Sequence, residues 1–358
     1  MREGWEYKTI ENCTSIEYGT RVVQKRDGGT IYPVYGGGGE TFRMDRYNRE
    51  DCLIIARFAM SPRCVRYVAG KFFLNDSGLS VKSKEELEQA YLNYHLLFFN
   101  DVIYHLGKGA AQRNLDVKAF RQLVIAIPPK STQLSIVSEL DKLNELIRIK
   151  KEQLKDYDTL AQSIFYEMFG DPVENEKGWE VKKLGEVSIY PKERVAINQI
   201  CSSQYVGVEN LIKDRGGVRF SDNLPKADVA IAYKENDILL GNIRPYLKKI
   251  WLADKVGGAS GDVVIIRIKE RSISPLFLFK LLSSDQFFEY DNTHTKGAKM
   301  PRGDRKAIEK FGVILPPLPL QYSFAQKIEQ IEQQKAAIQK TITDLETLLA
   351  ARMQYWFD

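Results

Sequence analysis

Arginine, lysine and side-chain amides carry most of the chemistry this chain could do. Arg57, Arg63, Arg66, Lys108, Gln112 and Arg113 fall in polar stretches of its first third, and Asn242, Arg244, Tyr246, Lys248, Lys249, Lys299 and Arg302 in polar stretches of its last. Guanidinium and ammonium groups bond guanine edges or phosphates, and amides make paired bonds to adenine, so this set suits reading a nucleic-acid duplex. A run of four glycines, Gly36 to Gly39, precedes Arg43, Arg46, Tyr47 and Arg49. It predicts a flexible loop whose backbone can approach a partner closely. The loop lacks the Gly-Lys-Ser/Thr end of a phosphate-binding loop and the strand-turn-helix setting of a dinucleotide fingerprint.

Other chemistries have little to stand on. Glu180 and Lys182 with Asp171 upstream imitate a metal-dependent nuclease, but Glu6 and Lys8 repeat the same Glu-x-Lys without a matching acid, as an alternating strand onset would. No Asn-Pro-Pro-aromatic stretch for amino-group methylation and no helicase-type loop is present. The four cysteines, Cys13, Cys52, Cys64 and Cys201, form no C-x-x-C pair, and with His95, His105 and His294 they give no zinc-site spacing. Reduced thiols, no bilayer-spanning apolar run and no signal-peptide pattern predict a soluble cytoplasmic protein, with no metal or cofactor site in this chain and no reaction of its own. The net charge of +5 is compatible with nucleic acid without requiring it.

The elements that must position these residues come twice. A shift of 188 lays Pro128-Pro129 on Pro316-Pro317, Lys108-Gly109-Ala110 on Lys296-Gly297-Ala298, Asp116 on Asp304 and Gln133 on Gln321. Gly4-Trp5-Glu6 recurs as Gly178-Trp179-Glu180 at a shift of 174, so the second copy carries a longer interior. After each proline pair comes a heptad seam: Ile136, Leu140, Leu143, Ile147, Lys150, Leu154, Tyr157, Ala161, Ile164 and Met168, then Phe324, Ile328, Ile331, Lys335, Ile338, Ile342, Leu345, Leu349, Arg352 and Trp356. A helix from Ser131 to Phe169 would span roughly 58 Å. Gly170-Asp171-Pro172 ends the first run, since Gly accepts a left-handed cap and Pro cannot continue a helix.

Apolar runs at 51–56, 72–74, 237–240 and 263–266 read as strands, and 85–99 and 275–288 as helices. The predicted fold class is α+β, with an internal pseudo-two-fold repeat and two long antiparallel coiled-coil helices. The expected domains are 1–128, a first helix over 129–170, 171–316, and a second helix over 317–358.

This order of variable part, Pro-Pro, long helix, Gly-Asp-Pro, Gly-Trp-Glu, Lys-Gly-Ala-Lys-Met-Pro-Arg over 296–302, Pro-Pro and a second helix resembles the specificity subunit of type I restriction-modification systems. The resemblance covers essentially the whole chain. It implies two target recognition domains, each reading half of a bipartite DNA site, with the helices setting the unread gap. It also implies docking of two methylation subunits, which hold S-adenosylmethionine, and of motor-nuclease restriction subunits. The DNA-facing candidates are then Arg43, Arg46, Arg57, Arg63, Lys108, Gln112 and Arg113 in the first domain, and Asn242, Arg244, Tyr246, Lys248, Lys299 and Arg302 in the second. A smaller system with fused methylation and cleavage, a nuclease using Asp171, Glu180 and Lys182, and a coiled-coil scaffold are the competing readings.

Overall fold

A computed structural model describes residues 2–84, 86–297 and 299–358. They form two compact units, Met1–Gln153 with Ile338–Asp358, and Leu154–Ala337, so each unit holds one globular part and a segment of each long helix.

Both units open in the same way. The repeated Trp-Glu start becomes a short strand, Glu6–Thr9 or Glu180–Lys183, paired antiparallel with the strand that runs into the prolines, Val124–Ile127 or Gly312–Leu315. The registers match, Glu6 facing Ile127 and Glu180 facing Leu315. The Glu-x-Lys spacing is therefore a strand onset in both.

In unit one a six-stranded sheet runs in the order Thr14–Tyr18, Gly78–Ser83, Arg49–Ala56, Val65–Leu74, Tyr32–Gly36, Gly39–Met44. Unit two has two four-stranded sheets instead. One orders Ser188–Ile189, Val263–Ile268, Ile238–Gly241 and Ile250–Leu252; the other orders Arg194–Ala196, Val229–Tyr233, Gly257–Ala259 and Tyr205–Val206. The fold is mixed α and β, with the sheet organisation differing between the two copies.

Of the two shorter predicted helices, the one over 85–99 forms a single helix directly followed by another, and the one over 275–288 is broken in two. Residue 85 lies outside the described residues; the first helix runs Gln89–Phe98 and is followed by Asn100–His105. The second stops at Leu282 and restarts at Asp285, because Ser283 Oγ donates back to Phe279 O while Ser284 caps the new helix by accepting from Phe287 N.

The heptad runs form helices Lys130–Phe169 and Leu318–Phe357. Every predicted seam residue is buried or partly buried. Within unit one Glu139 meets Arg352 and Trp356, and Lys151 meets Glu346; within unit two Lys335 meets Asp158, and Phe165 meets Phe324. Both sets of contacts define an antiparallel pair. Ile136 and Leu140 with Phe357 belong to the same apolar cluster as Leu53, Leu79, Tyr91 and Phe120 of the globular part. Phe165, Phe169, Phe324 and Ile328 join Leu240, Val264, Phe277 and Leu281 in the same way.

A buried amide locks each helix start. Gln133 donates to the carbonyls of Pro128 (2.9 Å) and Glu86 (3.0 Å) and accepts from Glu88 N (2.8 Å). Gln321 donates to Pro316 (2.8 Å) and Ser272 (3.0 Å) and accepts from Ser274 N (2.8 Å). All three hydrogen-bonding positions each glutamine uses are filled the same way, which is why this residue recurs at the shift of 188.

Candidate nucleic-acid interface

In unit one three loops converge. The segment after Arg49–Ala56 lies on the hairpin formed by Gly107–Lys108 and Asn114–Leu115, since Met60 N donates to Arg113 O (2.9 Å) and Leu115 N to Arg57 O (2.9 Å). Beside it sits the tip of the four-glycine hairpin, where Gly36 faces Gly39. A Cβ on Gly37 would stand 2.1 Å from Phe58 O, so the close backbone approach expected of this loop is to its own neighbour. Arg66 closes the corner by donating to Gly37 O (3.1 Å) and Arg63 O (2.6 Å).

Most of the residues expected here meet at this corner. The Arg57 guanidinium lies over the Phe58 and Tyr18 rings, and that of Arg113 over Tyr104. Arg63, Lys108 and Gln112 are exposed. Arg43 and Arg46 do not join them. Arg43 pairs across from Pro33, four residues from the hairpin tip, and bonds Ile31 O; Arg46 lies over Phe73. At about 3.3 Å per residue they sit more than about 12 Å from the tip, because the hairpin runs away from it.

Unit two repeats the arrangement with other residues. Gly303 N donates to Asn242 O (3.0 Å) and Arg244 N to Pro301 O (2.7 Å), and Ile243 bridges Arg302. Under the shift of 188, Pro301 falls on Arg113 and Gly303 on Leu115, so the loop-on-loop bonds are the same pair. The upper loop takes a left-handed residue in each unit, Ala59 at φ 50° and Arg244 at φ 53°.

Arg244, Tyr246, Lys299 and Arg302 are exposed on this surface. Lys248 is tied to Asp285 (2.6 Å), which it shares with Arg215, and the two cations hold that carboxyl below its ordinary range. Lys249 is half-buried on Val208 O, and burial pushes its ammonium down. Asn242 departs from expectation: it is 8% exposed, and its side chain lies under the loops rather than on them, because its peptide is held on both sides by Asp262 O and Gly303 N. Asp262 also pairs with Arg302 at 3.1 Å. Arg215, Asp262 and Lys296 also take part here, and of the three only Lys296 carries a signal in the sequence, its place on Lys108 in the repeat.

The residues of the nuclease reading are not assembled. Asp171 accepts from Val173 N and Glu174 N at the helix end, while Lys182 pairs with Glu270 at 2.6 Å and stands 3.8 Å from Glu180. Among the described residues no group of three or more His, Cys, Asp or Glu could hold a metal, and no helix is long and apolar enough to cross a membrane. All four cysteines are unpaired.

The helix pair carries a groove in each unit. One, of about 430 Å³, is lined by Ser135, Glu139, Lys142, Leu143, Leu348 and Arg352. The other, of about 410 Å³, is lined by Leu160, Ile164, Lys327, Gln330, Ile331 and Gln334. The shift of 188 carries Glu139 to Lys327, Lys142 to Gln330 and Leu143 to Ile331, so these are the same groove with different polarity.

Two loop platforms of common construction and different surface residues, each joined to a Pro-Pro helix start, define a protein built by internal duplication. Residues 2–156 match the family described as type I restriction modification DNA specificity domain. The chain is 29% identical over 148 residues to a putative type I restriction enzyme specificity subunit of Haemophilus influenzae, covering 39% of this chain and 38% of that relative. It is 24% identical over 302 residues to the type I restriction enzyme MjaVIII specificity subunit of Methanocaldococcus jannaschii, covering 74% of this chain and 70% of the relative. The crystal structure of a type I restriction-modification S subunit from M. genitalium superimposes with a TM-score of 0.59 at 15% identity, over 99% of this chain and 96% of that one. Residues 2–156 are thus similar to the DNA specificity domain of type I restriction-modification systems, and about three quarters of the chain is similar to a type I specificity subunit.

Proposed function

We propose that this chain reads a bipartite duplex, one half-site per globular part, and catalyses nothing itself. Residues 1–128 and 171–316 act as the two target recognition domains, and 129–170 and 317–358 as spacers that set the unread gap. The observation that carries this reading is the loop-on-loop platform built twice on one backbone plan with different side chains, as two readers of different sequences require. Arg57, Arg63, Gln112 and Arg113 face one half-site; Arg244, Tyr246, Lys299 and Arg302 face the other.

The recurring groove on the helix pair supports docking of two methylation subunits, one per groove. S-adenosylmethionine and the adenine chemistry then belong to those partners, with motor-nuclease subunits joining the assembly in the cytoplasm. A map of adenine methylation across the source genome, with the gene intact and deleted, tests the proposal. One split motif should lose methylation on deletion. Unchanged methylation, together with no selection of a split motif from a randomised duplex pool by the chain and its partners, would overturn it.

A further inference from the structure

The lower loop of each platform begins Lys-Gly-Ala and then diverges, Ala111-Gln112-Arg113-Asn114 against Lys299-Met300-Pro301-Arg302. The shared lysine sits at the same place in both hairpins: Lys108 pairs across from Asn114, and Lys296 bridges Arg302. Its electrostatic setting is also the same. Lys108 Nζ lies 2.5 Å from Asp116 Oδ2, and Lys296 Nζ 2.6 Å from Asp304 Oδ2. The lysine side chains are 79% and 76% exposed, the aspartates 19% and 24%.

Each aspartate has a second task. Asp116 Oδ1 caps a helix by accepting from Ala119 N, and Asp304 Oδ1 does so by accepting from Lys306 N, both at 3.1 Å. If the lysine leaves, the carboxylate keeps its cap and the favourable end of the helix. An ion pair this exposed contributes little, so moving the ammonium to another anion is cheap. Bases differ between two half-sites, whereas the phosphate backbone offers both units the same anion.

We infer that Lys108 and Lys296 are matched phosphate anchors, each held on its capping aspartate until a duplex arrives, and that the residues after the shared Lys-Gly-Ala carry the sequence readout. This rests on the proposal that both units bind a duplex.

The test titrates the full-length chain, with the methylation subunits it co-purifies with, against a duplex bearing the split motif and a scrambled duplex of equal length over a range of salt. Lys108→Ala and Lys296→Ala should each weaken both duplexes by the same factor and flatten the log–log salt slope by about 1, the double variant by about 2. The motif selected from a randomised pool should not change. Asp116→Asn and Asp304→Asn, which keep a cap acceptor and remove the competing charge, should tighten both duplexes up to about fivefold. Altered base preference in Lys296→Ala, or unchanged salt slopes beside a specific wild-type protein, would overturn the anchors alone. A wild-type assembly that does not distinguish motif from scrambled duplex overturns the duplex reading, and the anchors with it.

Discussion

Counted from the shared proline pair, Ile103 of unit one and Asp291 of unit two occupy the same place, and both are sealed from solvent at 0% and 1% exposure. Among the described residues neither oxygen of Asp291 has a hydrogen-bond partner, nor does Asn242 Oδ1. A Cβ on Gly303 would stand 2.6 Å from Asp291 Oδ1 and 3.1 Å from Asn242 Oδ1, so these acceptors converge beneath the unit-two platform. Burial pushes the Asp291 carboxyl up to about 6, with His294 pulling the other way. Unit one has the opposite liability. His95 has no partner for either ring nitrogen among the described residues, packs against Tyr91, Phe99 and Phe357, and is pushed down to about 3 by burial. One frame thus carries a buried acid in one copy and a buried base in the other, and the two copies should respond to pH with opposite sign.

The largest expected effects test that opposition. A raised carboxyl stabilises unit two fully below its ordinary value near 3.8, and the contribution is lost as pH rises through about 6. A lowered imidazole stabilises unit one above its ordinary 6.5, and that contribution is lost as pH falls toward about 3. Asp291→Asn should therefore remove a loss on the order of 3 kcal/mol between pH 4 and 8 in unit two, and His95→Phe one of similar size between pH 7 and 4 in unit one. Hydrogen exchange followed separately over each unit measures this. If both variants flatten the same unit, or the same side of neutrality, the contrast is wrong.

Where the units are built alike, they should fail alike. Gln133→Ala and Gln321→Ala each strand buried backbone partners and should cost about 2 kcal/mol in their own unit. Unequal losses would show that one helix start depends on its clamp more than the other. The reading surfaces should separate again. Arg302→Ala should weaken the second half-site by about 1–3 kcal/mol and relax preference there, leaving the first half untouched. Equal losses at both halves would assign Arg302 to phosphates instead of bases.

Arg2 and Lys177 extend the parallel. Arg2 donates to the carbonyls of Tyr355 and Trp356, while Lys177 donates to those of Glu167 and Met168, the same two positions at a shift of 188. Each unit thus brings a cation to the last carbonyls of a long helix, where the helix end favours positive charge. These two residues are not in register at either shift, so sequence alignment hid a correspondence that the fold restored.

The duplication, both helices and their seams, the paired Glu-x-Lys strands and the Gln133/Gln321 match were legible because they rest on short-range rules: heptad spacing, proline and glycine punctuation, and identical residues at a constant shift. The helix break at Ser283 was not, since no proline or glycine marks it and two serine hydroxyls make it through local bonds to Phe279 O and from Phe287 N. Likewise, Arg43 and Arg46 read as part of the loop they follow. Strand direction carries them off, and nothing in their spacing encodes where a hairpin points.

By itself the sequence determined that one plan is used twice, with Lys-Gly-Ala, Pro-Pro and a heptad helix in each copy, because periodicity and repetition survive without coordinates. Only the tertiary structure decided which polar residues face outward together. Asn242 and Arg244 are two residues apart, yet one is buried beside Asp291 and the other exposed, because backbone hydrogen bonds with Asp262 and Gly303 hold the first in while a left-handed turn swings the second out. Such burial depends on contacts made across the chain, to which residue type and spacing are blind.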